Sequence, residues 1–283
     1  MNIKELIQYG IQELKEDEIE DYLIKAKSLA KHVMKMNDSE LIINAENEVE
    51  KEQEEYYKLA LVEIVNGKPL QYITNKQEFY GSEFYVDENV LIPQPDTEIL
   101  LVVVLNILDM FDRNIKIIDM CTGSGCIGIS IAKKNPNEKI YLSDISKEAL
   151  EIAKKNAESI LKDDANIEFV QSDMFDELEE EFDIIVSNPP YIESEQIEQL
   201  SEDVKNEPIL ALDGGEDGLD FYKILVEESY KYLSDDGYLC MEIGYNQKEK
   251  VIELLEQNGN YQNIYCKKDL SGNDRVVVAQ IKI

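Results

Sequence analysis

The chain has 283 residues, 43% of them hydrophobic, enough to bury a sizeable core in one large domain or two smaller ones. Acidic residues outnumber basic ones 60 to 28, and a net charge of −32 sets up a field that repels nucleic-acid phosphates and anionic membranes. Four cysteines without a C-x-x-C pair, and the single histidine His32, leave little for a metal site and fit free thiols in a reducing cytoplasm.

Met1–Leu14 is polar and amphipathic, unlike a signal peptide, and no apolar run reaches membrane-spanning length. Ile3, Leu6, Ile7, Ile11 and Leu14 recur at helical spacing, and Tyr22, Ala26, Leu29, Ala30 and Val33 form a second stripe. Ser39 is placed to cap a short third helix over Leu41–Ala45. The charge run Glu48–Glu55 opens onto a longer helix carrying Tyr56, Leu59, Ala60, Glu63 and Ile64 on one face, ended by Asn66-Gly67.

The pattern then changes. Glu78–Tyr80 and Glu83–Val86, separated by Gly81-Ser82, read as a hairpin. Leu91-Ile92-Pro93-Gln94-Pro95-Asp96-Thr97-Glu98 follows as an extended, proline-fixed segment, with Asp96 or Thr97 available to cap the next helix. Beyond it apolar strands alternate with helices. Strands are expected at Lys116–Met120, Lys139–Asp144, Ile167–Ser172, Phe182–Ser187 and Gly237–Ile243. Helices are expected at Gly128–Lys134, Ser146–Ser159, Leu219–Leu233 and Gln247–Asn258. This is an α/β pattern: a doubly wound, mostly parallel sheet covered on both faces. The last strands, Asn263–Lys267 and Arg275–Lys282, leave no room for a crossover helix and should form an antiparallel hairpin. Residues 1–76 thus read as a helical domain, 77–96 as a hairpin and proline-rich linker, and 97–283 as the α/β domain.

Asp119-Met120-Cys121-Thr122-Gly123-Ser124-Gly125 joins a strand to a helix, and Gly123, Gly125 and Gly128 satisfy G-x-G-x-x-G. That spacing alone equally suggests a nicotinamide dinucleotide. Asp119 shifts the balance: a carboxylate there suits the ammonium of a methionine moiety and would repel a pyrophosphate, although it can also serve only to cap the turn. The loop resembles motif I of the class I methyltransferases, so that Cys121, Thr122, Gly123, Ser124 and Gly125 become candidate contacts for S-adenosylmethionine. Asp144 ends the next strand, where a carboxylate accepts ribose hydroxyls or, as the plainer alternative, caps the following helix. Asp173-Met174-Phe175 closes the third strand, and the resemblance puts it beside the adenine; for Phe175, core packing is the competing reading.

Phe182–Ser187 runs directly into Asn188-Pro189-Pro190-Tyr191. An amide or aromatic amine nitrogen is a poor nucleophile because its lone pair is delocalised. Two acceptors aimed at its two N–H groups localise that pair, and the Asn188 side-chain oxygen and the Pro189 carbonyl can supply them. Pro189 and Pro190 fix the backbone, and Tyr191 offers a face to a planar group. Both base amino methyltransferases and protein glutamine methyltransferases use this motif, and its spacing does not separate them.

Further segments resemble the PrmC/HemK family of peptide-chain release factor glutamine methyltransferases over roughly the full length. They are Gly67-Lys68-Pro69-Leu70-Gln71-Tyr72-Ile73, Glu78-Phe79-Tyr80, the Leu91–Glu98 segment, and Glu207-Pro208 with Leu210-Ala211-Leu212 and Gly214-Gly215. Gln94 stands where the family usually carries arginine, and Cys121 where it carries glycine or alanine. The resemblance implies a class I methyltransferase fold and a small N-terminal helical domain that helps to grip the substrate. S-adenosylmethionine is the expected cofactor, and the chain, read as cytoplasmic from its cysteines and N-terminal segment, is expected to be a monomer. The acceptor would be the glutamine of a Gly-Gly-Gln motif in a release factor. The alternative, an amino methyltransferase acting on a nucleic-acid base, shares the Asn188–Tyr191 chemistry but not the expected charge.

Overall fold

A computed structural model describes residues 1–161 and 165–282. The chain divides into two compact units. One comprises Met1–Asn75 with Ser201–Asn206, and the other Lys76–Leu200 with Glu207–Ile283.

The first unit is helical: α1 (Ile3–Glu16), α2 (Tyr22–Met34), α3 (Asp38–Ile43), α4 (Lys51–Val65) and the one-turn α5 (Leu70–Thr74). Their apolar stripes meet in a core that includes Leu6, Leu14, Leu29 and Tyr57. Gly10 lets α1 and α4 approach closely. A Cβ at Gly10 would lie 2.1 Å from the Tyr57 hydroxyl, which donates to the Ala26 carbonyl at 3.0 Å. Ser39 does not cap α3. Asn37 does so, because Glu40 stands three residues later and completes a reciprocal capping box that Ser39 lacks. Gly67, at φ +89°, takes the left-handed turn that ends α4.

The second unit opens with the hairpin β1 (Gln77–Phe79) and β2 (Ser82–Phe84), followed by α6 (Thr97–Leu108). The hairpin's Phe79 and Phe84 are buried in one core with Leu100, Val104 and Ile117, so it packs as part of the α/β unit. Then come β3 (Lys116–Met120), α7 (Cys126–Lys134), β4 (Lys139–Asp144), α8 (Lys147–Ile160), β5 (Ile167–Gln171) and β6 (Phe182–Ser187). Three single-turn helices follow, α9 (Ser194–Ile197), α10 (Glu202–Lys205) and α11 (Ile209–Leu212), of which α10 belongs to the first unit. The chain ends with α12 (Asp220–Glu228), β7 (Leu233–Glu242), α13 (Lys248–Asn258), β8 (Tyr261–Lys268) and β9 (Asp274–Ile281).

The sheet order is β5-β4-β3-β6-β7-β9-β8. β3 to β7 run parallel, and β9 lies antiparallel between β7 and β8. Alternate residues of each strand feed two cores. Ile117, Ile184 and Cys240 meet α6 and α7, whereas Ile118, Ile185 and Met241 meet α12 and α13. The expected helix over Leu219–Leu233 is shorter, since a 3-10 turn at Ser229–Lys231 ends it and Leu233 already begins β7. There the Tyr232 carbonyl accepts the Phe182 N–H at 2.7 Å, drawing the chain into the sheet. Strand order reverses between β3 and β6, where open α/β sheets place their ligands. Among the described residues, no helix is long and apolar enough to cross a membrane.

Candidate active site

A cavity of about 420 Å³ opens at the carboxyl ends of β3, β4 and β6, within the ordinary size range of small-molecule sites. Its floor is Met120, Cys121 and Gly123; one side is Ser143, Asp144 and Ser146, and another Asp173 and Met174. Asn188 and Pro190 close it at the end of β6, and Glu88, Leu91, Pro208, Leu210 and Phe221 are among the other lining residues.

The loop after β3 is tied from within. Asp119 is fully buried. Its Oδ2 accepts from the Thr122 hydroxyl at 2.7 Å and the Gly128 N–H at 2.9 Å. Its Oδ1 is buried without a partner. Burial raises the carboxyl to about 7, against the lowering effect of those two donors. Asp119 therefore braces the loop and does not itself line the cavity. Gly128 must be glycine for close packing: a Cβ there would stand 2.1 Å from Leu142 Cδ2 and 3.2 Å from Asp119. Gly123 and Gly125 take φ +53° and +81°, the left-handed region in which side chains are strained.

Asp144 does line the cavity, and both of its oxygens also hold backbone. Oδ2 accepts from Gly123 N–H and Oδ1 from Ser146 N–H, each at 2.9 Å. Each oxygen retains capacity for a further donor. Burial pushes its pKa up, while the backbone donors oppose the rise. The following helix is capped by Ser146, whose Oγ accepts from Ala149 N–H at 3.1 Å.

The other sequence candidates divide. Asp173 is exposed and lines the cavity, and Met174, at φ +48°, packs its sulfur 3.9 Å from the Cys121 thiol. Phe175 is buried in the core, stacked on Tyr232 with ring centroids 4.9 Å apart, and lies outside the lining. Thr122, Ser124 and Gly125 shape the loop from behind. Pro189 is buried, and Tyr191 packs against the second core while its carbonyl accepts from Gln247 Nε2 at 2.9 Å. Gly214 admits that stretch of backbone, because a Cβ there would lie 2.7 Å from Tyr191 Cα. Asn188 is half-buried, and its Nδ2 donates to Thr97 Oγ1 at 3.2 Å. Thr97 is thus tied to Asn188, while Asp96, the other expected cap, pairs with Arg275 at 3.0 Å.

Sequence reasoning missed two supports. Asn156 on α8 binds the Ser124 carbonyl at 2.9 Å, and the buried Glu207 accepts the Ile92 N–H at 2.8 Å, fixing the extended wall. Asn156 reads as one polar residue on an amphipathic helix, and Glu207 as one acid among many. Only the quoted Glu207-Pro208 resemblance marked the latter.

The cavity suits a neutral or cationic adenosine ligand better than a dinucleotide. Asp144, Asp173 and Glu88 line it, and among the described residues no lysine or arginine lines it to meet a pyrophosphate.

A profile described as the PrmC N-terminal domain matches residues 5–74, and one described as a methyltransferase small domain matches residues 96–207. A release factor glutamine methyltransferase of Clostridium acetobutylicum is 40% identical, with 99% of this chain and 98% of that protein covered. The enzyme of the same name from Bacillus cereus is 39% identical over 89% of this chain and 90% of its own. In fold, the hMettl16 catalytic domain superposes with a TM-score of 0.61 at 18% identity, over 76% of this chain and 83% of that one. A Pyrococcus furiosus methyltransferase gives 0.51 at 20% identity, over 80% and 100%. The chain belongs to the release factor glutamine methyltransferase family.

Proposed function

We propose that the protein methylates the side-chain amide nitrogen of the glutamine in a Gly-Gly-Gln motif of peptide-chain release factors, with S-adenosylmethionine as its cofactor. The observation that carries this reading is the placement of Asn188 in the wall of the same cavity as Gly123 and Asp144. S-adenosylmethionine supplies an electrophilic methyl group on a sulfonium. Gly123 and Cys121 offer loop backbone to it, Asp144 accepts its ribose hydroxyls, and Asp173 and Met174 border the adenine.

At the other end, Asn188 Oδ1 and the Pro189 carbonyl accept the two N–H groups of the substrate amide. They localise the nitrogen lone pair and stabilise the positive charge that develops there. Neutral acceptors suffice because the nitrogen attacks with its proton in place: the C–N bond would form as the methyl–sulfur bond breaks to leave the neutral thioether, and the methylated amide then releases one proton to solvent. Tyr191 flanks the planar amide. The helical unit, α1 to α5, contributes to holding the release factor, and the enzyme works as a cytoplasmic monomer.

Intact-mass and peptide mass spectrometry of release factors, incubated with cofactor and protein, tests the proposal. One added methyl group on the Gly-Gly-Gln glutamine is expected. Label on nucleic acid with none on the release factor would overturn it in favour of base methylation.

A further inference from the structure

An asparagine at the end of β6 is useful only if its amide faces the right way, oxygen to the substrate and nitrogen away. The amide is nearly symmetric in shape, so its surroundings must decide. The Asn188 Nδ2 donates to Thr97 Oγ1 at 3.2 Å. Thr97 is itself buried, the first residue of α6. Next to both lies Glu242, at the end of β7 and 2% exposed. Burial raises its carboxyl to about 7, and Thr97, Arg275 and Asn188 each favour the ionised form against that rise.

Above about pH 7, where Glu242 is mostly ionised, its carboxylate accepts hydrogen bonds and donates none. It therefore draws the Thr97 hydroxyl proton toward itself and leaves the Thr97 lone pairs to accept from Asn188 Nδ2. The reverse arrangement would aim the Thr97 proton at Asn188 Oδ1. It would take a donor from a carboxyl whose Oε2 is already buried without a partner.

We infer that Thr97, oriented by Glu242, is a positioning residue that sets the Asn188 amide with Oδ1 toward the substrate. This rests on the proposed use of Asn188, and it assigns a purpose to two buried polar residues on α6 and β7 that stand outside the cavity lining.

The test compares Thr97→Val, which removes the acceptor at nearly constant volume, with Thr97→Ser, which keeps it. Three quantities are read: single-turnover methylation of a release factor, calorimetric cofactor affinity, and hydrogen exchange of the Asn188 side-chain NH2 by NMR. The NH2 signals are identified by their loss in Asn188→Ala. Thr97→Val should slow turnover about tenfold or more, the scale of a misaligned reacting group. It should speed NH2 exchange and leave cofactor affinity within about twofold, the scatter of uncoupled sites. Thr97→Ser should restore both rate and protection. If Thr97→Val does not fold, Thr97→Ala takes its place in all three measurements. Wild-type turnover in the valine or alanine variant, or a serine variant as slow as they are, would overturn the inference. Wild-type protein that leaves the release factor unmodified would overturn the proposed function, and NH2 exchange would still decide whether Thr97 holds the Asn188 amide.

Discussion

Asn156 holds the backbone of Tyr85 by both of its polar groups: Oδ1 accepts the Tyr85 N–H at 2.7 Å and Nδ2 donates to the Tyr85 carbonyl at 3.0 Å. The same Nδ2 reaches the Ser124 carbonyl at 2.9 Å. One buried side chain on α8 thus joins the segment after the hairpin to the glycine loop.

Replacing Asn156 with leucine keeps the volume and strands these backbone groups. Leaving one buried donor or acceptor unsatisfied costs about 1–3 kcal/mol. We expect Asn156→Leu to lose about 2–3 kcal/mol of stability, read from urea denaturation. Cofactor affinity should fall as well, because the loop loses its tether at Ser124. A variant as stable as the wild type would show that the clasp contributes nothing net.

Asp119 predicts a pH dependence. Its carboxyl sits at about 7 in the folded protein, against an ordinary value of 3.8, chiefly because it is buried. Below about pH 4 it is neutral whether the chain is folded or not. Between there and about 7 the unfolded chain releases a proton that the folded chain keeps, so this group makes the fold less stable as pH rises. Asp119→Asn keeps an acceptor oxygen for Thr122 and Gly128 but cannot ionise. Without cofactor, the melting temperature of the variant relative to the wild type should therefore climb from pH 4.5 to about 7.5 and then level off. A difference that stays flat across that range would show that Asp119 titrates as an ordinary carboxyl.

What could be read in the sequence was what acts locally. Gly123, Gly125 and Gly128 mark a strand-to-helix turn by their spacing, and Asn188-Pro189-Pro190 announces itself by following an apolar strand. Strand ends were legible too, because Asp144 interrupts apolar alternation. Contacts between distant segments were not. Thr97 and Glu242 come together only when α6 packs against β7, and no periodicity encodes that pairing. Asp119 looked like a ligand contact because its motif position is shared by both uses of a carboxylate. Only its complete burial and its bonds to Thr122 and Gly128 distinguish a brace from a lining residue. The segment Ser201–Asn206 follows β6 in sequence yet packs with the helical unit, where Asn206 Nδ2 donates to the Gly67 carbonyl at 3.2 Å.

Asn188 carries the sharpest prediction. Alanine there removes the oxygen that should accept one N–H of the substrate amide, and it also frees Thr97. The Pro189 carbonyl alone cannot hold an NH2 group in both directions. The nitrogen then loses its alignment with the methyl group, and less of its developing charge is stabilised. Loss of one preorganised transition-state partner costs about 10²–10³ in turnover, or about 2.7–4 kcal/mol. A fall at least that large is expected for Asn188→Ala, because polarity and alignment go together. Cofactor affinity should change much less, since the loop stays braced by Asp119 and tied to Asp144. Asn188→Asp separates the two contributions. It keeps an acceptor oxygen, loses the Nδ2 donor to Thr97 and sets a negative charge near the sulfonium. Its turnover should fall between alanine and wild type, with tighter cofactor binding. Single-turnover methylation beside calorimetric affinity reads both effects, and near-normal turnover in Asn188→Ala would sink the acceptor mechanism whatever the substrate.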